Sequence, residues 1–112
     1  MNDSGPIITA LSALAQPHRL AAFRALVAAG PKGLAAGEIA VLLSVPASSL
    51  SFHLAQLERA GLIQPTRAGR SIIYTADFAA MTGLVRYLTE NCCGGADCAP
   101  AEAERPTERN AA

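Results

Sequence analysis

The chain has 112 residues, 51% of them apolar but only 4% aromatic, so it suits one small domain whose core is built from Leu, Ile, Val and Ala. Its formal net charge of zero argues at first against a nucleic-acid partner, but the charge is unevenly placed. Residues 16–75 set Arg19, Arg24, Lys32, Arg59, Arg67 and Arg70 against Glu38 and Glu58, a net +4, whereas residues 76–112 carry a net −3. A basic half of this kind is the electrostatic footprint expected of a DNA-binding surface.

In chain order, residues 7–15 predict a short helix with Ile7, Leu11 and Leu14 on one side. The same stretch ends like a signal-peptide cleavage site, yet no Lys or Arg precedes it and Asp3 has the wrong sign. No run is long enough to span a membrane. A cytoplasmic protein is therefore expected, its three cysteines reduced thiols rather than a disulfide framework. Pro17 suits a first helical position, and residues 17–29 predict a helix that buries Leu20, Phe23, Leu26 and Val27 and exposes Arg19 and Arg24. Gly30-Pro31-Lys32-Gly33 is a turn. A brief helix over 36–43 follows, with Ile39, Leu42 and Leu43 inward and Glu38 near its positive end.

Ser44-Val45-Pro46 then gives helix-turn-helix spacing to the most informative stretch, residues 46–63. Leu50, Leu54 and Leu57 recur at i, i+4 and i+7, one buried stripe of a helix. Between them sit Ser48, Ser49, Ser51, His53 and Gln56. A merely solvated face would carry Glu and Lys, which form helix better than Ser or His. A face laid against base edges and phosphates needs compact donors and acceptors instead. Gly61 ends the helix, and strands over 62–66 and 71–76, with Ala68-Gly69 at the tip, make a hairpin. Arg67 and Arg70 at that tip suit phosphate or minor-groove contact; the plainer reading is that they keep an exposed edge soluble. Asp77 is placed to cap a last helix over 77–91, with Phe78, Met81, Leu84, Val85 and Leu88 in one stripe. That stripe and the first helix either meet across a dimer interface or complete the monomer core. Helix-turn-helix geometry on DNA favours the dimer.

This order of elements resembles the ArsR/SmtB family of winged-helix metal-responsive repressors. The resemblance is carried by Leu14-Ala15-Gln16-Pro17-His18-Arg19-Leu20, by Ser49-Leu50-Ser51-Phe52-His53-Leu54 with Leu57-Glu58-Arg59-Ala60-Gly61-Leu62-Ile63, and by Arg67-Ala68-Gly69-Arg70-Ser71-Ile72-Ile73-Tyr74. It covers about residues 7–91 and implies a mainly α fold with a small β-hairpin, a winged helix-turn-helix that works as a homodimer on operator DNA and leaves it when an inducer binds. By this likeness Ser48, Ser49, Ser51, His53 and Gln56 sit at the major groove, with Arg67 and Arg70 on the wing. The chain departs from one form of the family: a Cys-Val-Cys motif in the third helix is replaced by Glu38-Ile39-Ala40-Val41-Leu42-Leu43. A histidine- and carboxylate-rich zinc site on the last helix is absent as well.

The inducer chemistry must come from Asn91-Cys92-Cys93-Gly94-Gly95-Ala96-Asp97-Cys98, which holds every cysteine of the chain. The segment is polar and glycine-rich, unlike the setting of a buried structural cysteine. Adjacent residues in a helix point about 100° apart, so Cys92 and Cys93 cannot converge there, and Gly94-Gly95 must end the helix and let Cys98 turn back. Structural zinc wants four ligands, whereas trivalent arsenic or antimony is satisfied by three thiolates. Softness excludes magnesium and calcium. The set resembles that of arsenic-responsive repressors with cysteines at the end of the last helix, which makes Cys92, Cys93 and Cys98 the expected ligands of As(III) or Sb(III). A thiol redox sensor or another soft-metal-responsive repressor on the same fold remains the alternative. No catalytic arrangement stands out and no enzymatic activity is expected. The expected organisation is a DNA-binding and dimerisation domain over 1–91, an inducer segment over 92–98 and a disordered tail over 99–112.

Overall fold

The leucine periodicity is realised as packed helices carrying a small sheet. The computed structural model describes residues 4–95. Its helices are α1 (Ser4–Leu14), α2 (Pro17–Ala29), α3 (Ala36–Leu43), α4 (Ala47–Arg59) and α5 (Phe78–Thr89), and its strands β1 (Leu34–Ala35), β2 (Ile63–Ala68) and β3 (Ser71–Ala76). The core joins Ala22, Phe23 and Leu26 of α2 to Ile39 of α3, Leu50, Leu54 and Leu57 of α4, and Leu62 and Ile63 at the start of the wing.

Local chemistry sets the boundaries. Gln16 caps α2 by accepting the Arg19 N–H at 2.8 Å, and Pro17 occupies the first turn. Glu38, in the first turn of α3, accepts the Ala35 N–H at 2.8 Å. Ser44 ends α3 in a left-handed conformation (φ 55°, ψ 45°), and the chain bends 111° between α3 and α4. That angle falls in the helix-turn-helix range. Asp77 caps α5, its Oδ1 accepting from Ala80 N–H and its Oδ2 from Gln64, each at 2.9 Å. Among the described residues no single helix is long and apolar enough to cross a membrane.

The sheet holds more than the hairpin. Its order is β1-β3-β2, all antiparallel, with Leu34 opposite Tyr74 and Tyr74 opposite Pro65. The two-residue strand β1 was invisible in sequence, because Leu34-Ala35 is too short for a period of two to register. Pro65 is tolerated because β2 is an edge. The turn residues are Gly69 and Arg70, since Ala68 pairs with Ser71. Gly69 at the first central position with φ 64° is the type II′ pattern, so the tip lies one residue later than expected.

Two leucines expected inside, Leu20 and Leu42, are 44% and 63% exposed, and Leu11 on the apolar side of α1 is 38% exposed. α1 packs instead through Ala10 and Ala13, whose small side chains let it approach closely. Of α5 only Leu84 is buried, and Val85 and Leu88 are exposed, as are Ile8 and Leu11 of α1. It also ends at Thr89, earlier than expected, where the Thr89 hydroxyl donates back to Val85 O at 2.8 Å and Asn91 turns left-handed.

Gly33 is the tightest point. Its φ of 70° and ψ of −172° belong to a region open essentially only to glycine. A Cβ there would meet the Tyr74 carbonyl oxygen and the methyls of Thr75 and Ile73 at 2.7 and 2.8 Å. Gly33→Ala is expected to lower stability by about 1–3 kcal/mol, read from the urea midpoint. Gly37→Ala, in open space within α3, is expected to leave stability level or raise it.

Candidate nucleic-acid interface and cysteine turn

With Leu50, Leu54 and Leu57 buried, the rotation of α4 about its axis is fixed. Ser48, Ser49 and Ser51 then fall on the exposed side. Phe52 shares that side, one turn beyond Ser48 and Ser49, and is 57% exposed. Arg59, in the last turn, is exposed as well. Neither Phe52 nor Arg59 was singled out from sequence, though both follow Ser48 at helical spacing. α4 has no side-chain cap at its N-terminus, and uncapped first-turn amides suit phosphate oxygens.

His53 and Gln56 are set back from this face. Gln56 is half-buried and lines a shallow cleft with Ile8, Ser12, Arg19 and Arg59. His53 is half-buried against α2, its ring centroid 5.4 Å from that of His18 and its Nδ1 3.4 Å from Arg19 Nη1. A guanidinium only donates, so Nδ1 is the acceptor and the neutral ring carries its proton on Nε2. Arg19 also donates from Nε to Ala13 O at 2.7 Å, tying α1 to the same junction. Burial, then the Arg19 charge, then His18 hold the His53 imidazole below its ordinary range. On the wing, Arg67 and Arg70 are both exposed at the turn.

The cysteine segment begins past α5. Asn91 (φ 61°), Cys93 (φ 56°) and Gly94 (φ 66°) are all left-handed. Cys92 and Cys93 therefore sit in a tight turn rather than in a continuing α-helix, the setting in which they could not converge. Their Sγ atoms are 3.7 Å apart and both residues are exposed. Two thiolates on one tetrahedral ion with bonds of about 2.3 Å lie roughly 3.8 Å apart, a spacing this pair could serve only with Cys93 reduced. Cys93 is disulfide-bonded here, contrary to the expectation of three reduced thiols. Cys98 lies outside the described residues, as does the expected tail. Among the described residues no three His, Cys, Asp or Glu side chains are placed to hold a metal ion.

Comparison with known proteins agrees with this geometry. Residues 14–66 match a helix-turn-helix domain family. The chain is 31% identical over 83 residues to the HTH-type transcriptional regulator YgaV of Escherichia coli K12, covering 74% of this chain and 82% of that protein. It superposes on an ArsR-like transcriptional regulator from Rhodococcus with a TM-score of 0.73 at 23% identity, covering 85% of this chain and 87% of the other. The homodimeric winged helix-turn-helix DNA-binding domain Mb0332 from Mycobacterium bovis gives a TM-score of 0.61 at 24% identity, over 82% and 85% of the two chains.

The His53 site has a pH consequence. A histidine whose folded pKa is depressed favours the neutral form, so its contribution is fully present above the unfolded value, near 6.5, and is lost as pH falls through and below it. Urea unfolding at pH 7.5 and 5.5 is expected to show a loss of stability on acidification that is smaller in His53→Gln. Equal losses in the two proteins would reject this account of the junction.

Proposed function

The chain belongs to the ArsR family of winged helix-turn-helix transcriptional regulators, and we propose that it is a homodimeric repressor that releases operator DNA when Cys92, Cys93 and Cys98 take up trivalent arsenic or antimony. The observation that carries this reading is the left-handed turn that brings the Cys92 and Cys93 sulfurs to 3.7 Å at the end of α5. A regulator of this kind works where the chromosome is, in the cytoplasm.

The chain's own residues supply the rest. Ile8 and Leu11 of α1 and Val85 and Leu88 of α5 leave apolar surface unburied in one subunit. Covering it with a second copy adds the buried area that so small a domain lacks, and it sets two α4 helices into successive major grooves. Serines 48, 49 and 51, with His53 and Gln56 behind them, face the bases and groove walls; Arg67 and Arg70 reach the flanking backbone. A bound ion of this class supplies three thiolate bonds and nothing catalytic. Gathering the cysteines there shortens the chain after Thr89 and so acts on α5. To release DNA, the gathered state must favour a dimer with a different α4 separation, and a typical coupling changes affinity about 5–150-fold.

The disulfide at Cys93 favours one second reading, in which oxidation of the thiols rather than capture of an ion is the signal. Operator binding by reduced protein, followed by fluorescence anisotropy while arsenite and peroxide are titrated separately, distinguishes the two. Single Cys92→Ser, Cys93→Ser and Cys98→Ser variants are expected to bind operator like the parent and to ignore arsenite. Release of all three at the parent's arsenite concentration would reject the three-thiolate site. The double variant Arg67→Ala, Arg70→Ala is expected to weaken binding to every sequence alike, lowering the salt slope by roughly 0.9 for each phosphate contact removed.

A further inference from the structure

Phe52 is the side chain on the DNA-facing side of α4 that the polar reading leaves unused. It is 57% exposed, it lies opposite the buried leucine stripe, and its neighbours one turn back are Ser48 and Ser49, too small to cover it. Its ring meets the His53 ring edge-on at a centroid distance of 5.7 Å, and His53 is itself held by Arg19 and His18. The phenyl group therefore projects from a braced base. A lone apolar residue on an ordinary surface needs no explanation. On a helix that enters the major groove it does, because that groove is lined by phosphates and polar base edges.

The major groove offers one apolar feature, the 5-methyl group of thymine. Serine hydroxyls both donate and accept, so Ser48, Ser49 and Ser51 read base edges permissively. We infer that Phe52 is a specificity-determining residue that packs on a thymine methyl in each operator half-site. The inference rests on α4 lying in the major groove and is independent of what the cysteines bind.

The test starts from an operator selected by the wild-type protein from random duplexes, in which each thymine is replaced in turn by deoxyuridine. This deletes one methyl and leaves every hydrogen-bonding edge intact. One thymine per half-site is expected to lose about fourfold in affinity on methyl removal, and roughly fifteenfold when both half-sites are changed. Phe52→Ala is expected to bind the thymine operator more weakly and to bind the thymine and deoxyuridine duplexes equally. Salt-dependent operator binding with no methyl-sensitive thymine would overturn the inference while leaving DNA recognition by α4 intact. A methyl sensitivity that persists unchanged in Phe52→Ala would overturn it too. The scan on wild-type protein decides the first point without any variant.

Discussion

Everything on the outward side of α4 depends on the burial of Leu50, Leu54 and Leu57, which are 1%, 2% and 0% exposed. Each fully buried leucine contributes about 1.5–3 kcal/mol relative to exposure, so turning the helix to present another face forfeits several such contributions at once. The rotation is locked by packing, and with it the direction of Ser48, Ser49, Ser51 and Phe52. A recognition surface made of short side chains has little stability of its own to offer. It is held in place from behind.

Electrostatics divides the cations into two groups. Arg19 is spent inside the protein, linking the Ala13 carbonyl at the end of α1 to His53 on α4. Burial first and then the Arg19 charge hold the imidazole below its ordinary pKa, which favours the neutral ring beside the guanidinium. The positive footprint toward DNA therefore falls to residues that the fold leaves outside, among them Arg24, Arg59, Arg67 and Arg70. A count of charge along the sequence treats these groups alike; the hydrogen bonds separate them.

The parts of the fold legible in sequence are those written by strong periodicity or punctuation. The stripe of α4, Pro17 opening α2, Asp77 capping α5 and the paired strands around Gly69 all announce themselves within a few residues. Leu20 and Leu42 misled because α2 and α3 each carry more apolar residues than one face can bury, and only the neighbouring helices decide which face turns in. Strand β1 escaped because its pairing with Tyr74 and Ile73 is a long-range fact. For the candidate site, the exposed serines and wing arginines were readable, whereas the inward setting of His53 and Gln56 depends on α2 and α1. The end of the last helix was placed too late for a local reason: Thr89 bonds back to its own helix and Asn91 reverses the backbone before the first cysteine.

That early helix end also bears on how a signal at the cysteines reaches the DNA-facing surface. Ala60 and Leu62, which directly follow α4, share one cleft with Ile7 and Ala10 of α1 and with Leu84, Tyr87 and Glu90 at the end of α5. The cysteine turn starts two residues beyond Glu90. Contiguity of this kind is not itself coupling, which requires an element with two arrangements that both sites bias. The element best suited is α5. Its first half is tied to its own subunit by Phe78, Ala80 and Met81, which pack against the core, and by buried Leu84, while Val85 and Leu88 further along are exposed. In the proposed homodimer the exposed second half of α5 would follow the partner copy rather than the core. The leucine stripe of α4 does the reverse, so in the proposed homodimer a change at the cysteines would alter the spacing of the two recognition helices without disturbing either one.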